Sequence, residues 1–213
     1  MLAAAALAAV LGCPATPSAP AAAPPADFAA AAQEGGGAAT PAPTPGAVAP
    51  ETAPPGTAQN PPPRRVLVPR TGLDARVSPV GVTDEGDVTV PDDPSVAGWY
   101  RYGPAPGSAE GSAVLVGHVD TDTGALGEFR ALYGVRRGDT VEVRRAGDEP
   151  VTYRVVSRVT VPKDELPASA FRRTGAPVLT LITCAPPFVP ERGGYLSNLV
   201  VTADPVGRAQ WPT

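Results

Sequence analysis

Apolar and polar positions alternate in short bursts from Arg65 onward, almost nowhere in the three-to-four-residue rhythm of a helix. Val66–Val68, Val77–Val82, Val88–Val90, Ala113–Val116, Thr140–Arg144, Val151–Val161, Val178–Thr183 and Leu199–Thr202 are rich in β-formers and read as strands. Turn chemistry separates them at Asp84-Glu-Gly-Asp87, Pro104-Ala-Pro-Gly107, Arg137-Gly-Asp139 and Gly147-Asp148. Glu128–Tyr133 is the exception, with Phe129, Leu132 and Tyr133 on one face of a short helix. Eight closely spaced strands with so little helix predict an all-β domain, an antiparallel-rich barrel or closed sandwich.

The pattern stops at Arg64. Fourteen of the 29 prolines lie before it, among Ala, Thr and Gly, and the only charges from Pro14 to Pro63 are Asp27, Glu34 and Glu51. Such a stretch has too few branched apolar and aromatic residues to form a core, so 14–63 is expected to be a disordered Pro/Ala-rich tether. The catalytic or binding domain is then 64–206, with 207–213 as a tail. All 17 basic residues lie from Arg64 onward, against 18 acidic ones, so the domain is nearly neutral and carries no nucleic-acid footprint.

Residues 1–13, MLAAAALAAVLGC, read as targeting rather than fold. The apolar run is shorter than the roughly 20 residues that span a bilayer. Val10-Leu-Gly-Cys13 approximates a lipoprotein processing box, which makes Cys13 a candidate lipidation site. No Lys or Arg precedes the run and Leu11 is bulky for such a box, so a signal-anchor with its start further upstream fits as well. Both readings put the domain outside the cytoplasmic membrane, tethered through its N-terminus or secreted. One cysteine in the domain cannot form an internal disulfide, and one His with one Cys falls short of a zinc site. No cofactor is expected.

That cysteine, Cys184, ends the run Val178–Thr183, and Pro186 and Pro187 are expected to stop the strand there. The single histidine, His118, ends the similar run Ala113–Gly117. A thiol at a strand end is core or rim; the matching position of the only imidazole makes a thiol–imidazole pair, able to take a proton and return it to a leaving amine.

TLITC at 180–184, Gly117-His118-Val119-Asp120 upstream and Tyr195-x-x-Asn198-Leu-Val-Val downstream resemble a sortase, a cysteine transpeptidase of Gram-positive surfaces. With Gly98-Trp99-Tyr100, the G-H-V-D form and the tail after the cysteine, the likeness is to the class F branch common in actinobacteria, over roughly 65–205. The resemblance implies an eight-stranded β-barrel that cleaves a Leu-Pro-x-Thr-Gly sorting signal between Thr and Gly through a thioester on Cys184. An amine of a peptidoglycan precursor or a pilin lysine, or water, then resolves it. His118 is implied as the acid/base. The order His-then-Cys does not fit papain-like enzymes, and neither the caspase Q-A-C-x-G nor the Ser-His-Gly-Cys of L,D-transpeptidases is present. A monomer is expected.

Sortases generally carry an arginine after the cysteine, and in the better-known classes it sits where this chain has Asn198. Arg192, in the loop Pro190-Glu-Arg-Gly-Gly194, is the arginine available for the oxyanion, with Asn198 as the alternative donor. Asp120 alternates toward the side of His118 and is a candidate to orient the ring or meet substrate; its other reading is a solvated turn residue. Thr183 offers a hydroxyl beside the thiol or is a plain strand residue. Trp99 and Tyr100 read as core or barrel closure. With ordinary pKa values only a few per cent of the thiol is ionised at neutral pH, so the expected enzyme is slow. The competing reading is a weak or inactive surface-tethered β-barrel that serves as a binding domain.

Overall fold

A computed structural model describes residues 26–29, 60–84, 86–121, 124–147 and 149–207. The targeting segment, Cys13 and nearly all of the expected tether lie outside the described residues. Eight strands form a closed barrel: β1 (Pro63–Val68), β2 (Leu73–Val80), β3 (Val96–Tyr100), β4 (Ser112–Val116), β5 (Thr140–Arg145), β6 (Val151–Pro162), β7 (Val178–Val189) and β8 (Gly194–Pro205). Around the barrel the order is β1-β2-β3-β4-β7-β8-β6-β5. Six of the pairings are antiparallel; β2–β3 and β4–β7 are parallel.

Alternate positions along the strands fill the interior with Val66, Leu73, Leu115, Val141, Val155, Leu179, Leu181 and Val201, all at most 1 % exposed. Phe129 and Leu132 of the 3-10 helix Glu128–Gly134 plug this core. A second apolar layer lies outside the barrel wall, where Val80, Val114, Val116 and Ile182 are covered by Val88, Val90, Tyr100, Leu166 and Phe171. This explains why β4 is apolar without alternation: all five of its residues are buried, because both faces are covered.

Three expectations about elements are corrected. Val88–Val90 is not a strand but a single bridge, Val82 to Val88, that lays valines over the outer layer. A strand stands instead at Val96–Tyr100, where Trp99 packs on the core and its indole N–H donates to the Pro104 carbonyl at 3.2 Å. Gly98 belongs to it because a Cβ would press on Val80 at 2.9 Å and on Pro91 at 3.0 Å. Pro186 and Pro187 do not end β7. They form an exposed bulge between the pairs Ala185–Ser197 and Phe188–Tyr195, and the ladder resumes beyond them. Of the segment read as a tether, Ala26–Ala29 packs on the barrel, with Phe28 bridging to Arg158.

Candidate active site

The parallel register of β4 and β7 ends at Val116 opposite Ile182. The two chains stay locked one residue further, since Gly117 N–H donates to the Ile182 carbonyl (3.2 Å) and Thr183 Oγ1 donates to the Gly117 carbonyl (2.8 Å). His118 and Cys184 follow at equivalent positions. Alternation puts both on the face of Val116 and Ile182, the outer one, at the mouth of the second apolar layer. Thr183 is therefore a clamp between the strand ends, 2 % exposed.

The His118 seat is built from glycines. A Cβ on Gly117 would meet the Phe129 ring at 2.6 Å, and one on Gly127 would meet the His118 carbonyl oxygen at 2.1 Å. Phe129 N–H donates to that same carbonyl at 3.1 Å. The ring is held from the other side: His118 Nε2 lies 2.7 Å from the carbonyl oxygen of Pro91. A carbonyl only accepts, so Nε2 carries a proton, and in the neutral ring Nδ1 is the basic atom.

Cys184 is half-buried and free. Burial pushes its thiol above the ordinary value; the Lys163 ammonium opposes this and the Asp120 carboxylate adds to it. The Cys184 carbonyl accepts from the Tyr133 hydroxyl at 2.9 Å. Burial, with the charges of Cys184 and Asp120, pushes the Tyr133 phenol up to about 12. Asp120 Oδ2 accepts from the Tyr195 hydroxyl at 2.6 Å, and that bond leads the causes that raise Tyr195 to about 12. Both phenols are thus firm donors at neutral pH. Asp120 ties the His118 segment to the β7–β8 hairpin, while the Pro91 carbonyl holds the ring. Tyr195 is braced edge-on by Phe188, centroids 5.0 Å apart.

Asn198 is the direct cross-strand partner of Cys184. Arg192 sits in the exposed turn Pro190–Arg192 at the hairpin tip, beyond the pair Val189–Gly194. Val189 lies five positions along β7 from Cys184, at most roughly 16 Å at about 3.3 Å per residue given the intervening bulge. Arg192 makes no ion pair among the described residues. The cation that acts on the thiol is Lys163. It follows directly on β6, whose Val161 and Pro162 pair with Asn198 and Ser197. Sequence reasoning missed Lys163, Tyr133, Pro91 and Gly127 as parts of this site.

A closed barrel that brings a cysteine and a histidine to equivalent ends of two paired parallel strands is an arrangement that suits cysteine acyl transfer. The sortase domain model matches residues 66–206, and the chain belongs to the sortase family of cysteine transpeptidases. No curated protein sequence matches it. Similar solved structures include sortase C2 of the Group B Streptococcus pilus island 1, at 22 % identity and TM-score 0.52, covering 67 % of this chain and 73 % of that one. Sortase C-1 of Actinomyces oris is similar at 23 % identity and TM-score 0.51, covering 67 % and 72 %. A lid mutant of sortase A from Corynebacterium diphtheriae gives 21 % identity and TM-score 0.53, covering 70 % of each chain. At these identities the likeness carries the barrel fold.

Proposed function

We propose that this chain is a class F-like sortase acting outside the cytoplasmic membrane on a Leu-Pro-x-Thr-Gly-type sorting signal, with Cys184 as nucleophile and His118 as acid/base. The parallel β4–β7 register, which brings the two side chains to one rim on one face, is the observation that supports this most directly. His118 Nδ1 takes the thiol proton as sulfur attacks the threonine carbonyl, giving a tetrahedral oxyanion. Collapse breaks the Thr–Gly bond, and the imidazolium returns its proton to the glycine amine. The resulting thioester is resolved by an amine, from a peptidoglycan precursor or a pilin lysine, or by water. The N-terminal segment, with Cys13 as its lipidation candidate, tethers the enzyme to the outer membrane face.

For the oxyanion, pairing with Cys184 supports the Asn198 side-chain amide. Arg192 serves only if the hairpin curls back over the rim. A thiol raised by burial supports slow turnover, which keeps a weak enzyme or a binding domain as the second reading. The test is cleavage of a Leu-Pro-x-Thr-Gly peptide by purified protein. Cys184→Ala is expected to abolish it with the barrel still folded, and loss of folding would return Cys184 to the core. Removing one oxyanion donor costs about 100- to 1,000-fold in turnover, whereas an exposed charge costs almost nothing. Asn198→Ala and Arg192→Ala, assayed on one peptide, are therefore expected to split widely, with the large loss at Asn198.

A further inference from the structure

β6 is paired with β8 from Tyr153 to Pro162, but on its other side β5 and the backbone of Gly138 and Asp139 cover it only as far as Val155. Beyond that the barrel wall has an open edge, and residues Ala26–Ala29 fill it. Phe28 and Arg158 exchange both backbone hydrogen bonds, at 2.8 and 2.7 Å. Asp27 accepts from the Thr160 N–H at 2.8 Å, and Ala26 offers its carbonyl to the Arg158 guanidinium at 2.7 Å. The Phe28 ring packs against the core between two guanidinium groups, Arg158 at 5.2 Å and Arg137 at 5.5 Å from its centroid. Phe28 is the only aromatic residue before Trp99, and Asp27 is one of three charges in 14–63. The two side chains that anchor this contact are thus the ones an Ala/Pro tether has no other need for.

Arg158 is 3 % exposed and reaches further inward. Its guanidinium donates to the carbonyls of Tyr133 and Val135, each at 2.8 Å. Tyr133 in turn donates its hydroxyl to the Cys184 carbonyl at 2.9 Å. A continuous run of hydrogen bonds therefore joins the strap to the backbone of the cysteine.

We infer that Ala26–Ala29 is a strand-adding strap that completes the β6 edge, and that its seating, passed through Arg158 and Tyr133, positions the end of β7 that carries Cys184. Tyr133 and Phe28 are positioning residues in this scheme. The strap's docking stands on its own contacts; the catalytic consequence rests on the reading of Cys184 as nucleophile. With the strap released, Arg158 loses the Ala26 carbonyl and the Phe28 ring from its outer side, its seat against the 3-10 helix and Tyr133 loosens, and the strand end opens enough to expose the thiol.

Two measurements on the full chain test this. In residue-resolved hydrogen exchange, the amides of Arg158 and Thr160 are expected to be protected in wild type and to exchange freely in Phe28→Ala. Val159 and Val161, which alternate toward β8, should stay protected in both. Unprotected Arg158 and Thr160 amides in wild type would show that the strap does not dock. The second measurement is the rate of Cys184 alkylation by iodoacetamide. Phe28→Ala and Tyr133→Phe are each expected to raise it on the order of fivefold, the scale of one net hydrogen bond. The double variant should do no more than the larger single one, because both act along one line. A millimolar peptide of sequence PADFAAAA should restore slow labelling to Phe28→Ala but not to Tyr133→Phe. Released amides with unchanged alkylation, or additive effects, overturn the positioning role. Neither readout needs peptide cleavage, so a failed cleavage assay leaves this test intact.

Discussion

Replacing Gly127 by alanine probes the seat of His118 without touching the ring. An added Cβ would stand 2.1 Å from the His118 carbonyl oxygen, 2.6 Å from its carbonyl carbon and 2.8 Å from its Cβ. The Gly127 backbone is extended, φ −86° and ψ 153°, where alanine is at ease, so the cost is purely steric. The shortfall from ordinary contact at 3.4 Å to 2.1 Å is about 1.3 Å, and one side must yield by most of it. The Gly127 side is fixed by the Glu128 N–H on the Pro94 carbonyl (3.0 Å) and by the buried Phe129 that follows. The His118 segment, at the mouth of the site, is the side expected to move.

A catalytic group misplaced by about 1 Å loses on the order of 100-fold in rate. Overpacking of this kind costs about 1–3 kcal/mol in stability. Gly127→Ala is therefore expected to fold, to melt a few degrees lower and to cleave peptide about 100 times more slowly. Cys184 should still react with an alkylating agent. Gly134→Ala is the control, because its Cβ would meet nothing closer than Thr71 Cγ2 at 3.3 Å, the end of a side chain. It should be near wild type in both assays. A Gly127→Ala enzyme as fast and as stable as wild type would refute the reasoning, since the space it needs does not exist in the fold described.

Lys163→Ala removes the charge that opposes the burial of the Cys184 thiol, so the midpoint of alkylation against pH should move up; Asp120→Asn removes a charge that adds to it, so the midpoint should move down. Equal midpoints in both variants would mean that neither charge reaches the sulfur. Burial pushes the Asp139 carboxyl up, but hydrogen bonds from the Arg70 guanidinium and the Arg136 N–H outweigh it and hold the group below its ordinary value. A depressed folded value contributes stability that is present above the unfolded pKa and lost as pH falls through the folded one. Asp139→Asn should accordingly flatten the acid limb of a melting-temperature profile, and an unchanged limb would remove Asp139 from the account.

What was legible in the sequence followed from local pattern. The runs ending at Val116 and Thr183 are dense in β-branched residues, so strands, and the positions of His118 and Cys184 at their ends, could be read directly. Val96–Tyr100 was not legible as a strand, since Gly98 and a pair of aromatics break the alternation; the reason lies in Val80 and Pro91, which press on the place of a Cβ. The loop expected at Pro186 and Pro187 failed for the opposite reason. A bulge lets prolines point away from the ladder while it continues on both sides. Lys163, Tyr133 and Pro91 reach the site from other elements, at separations that only the barrel's closure converts into contact. Asp27 and Phe28 did leave a signal, one aromatic and one charge side by side in an otherwise featureless stretch, but nothing local said what they would meet.

The parallel pairing of β4 and β7 has a chemical consequence that an antiparallel pairing lacks. Strands running the same way deliver their C-terminal ends to one rim, and their side-chain alternation stays in step, so residues two beyond Val116 and Ile182 share a face. Antiparallel neighbours would have put the imidazole and the thiol at opposite ends of the barrel. Asn198 arrives differently, through the antiparallel register of β8, which runs back past Cys184 from the hairpin. The same packing that aligns these groups also desolvates the sulfur and keeps it protonated. In the proposed reaction, with Nε2 committed to the Pro91 carbonyl, the thiol proton would pass to Nδ1 as the sulfur attacks. The barrel thus favours alignment over a standing thiolate, and slow turnover is the expected result of that arrangement.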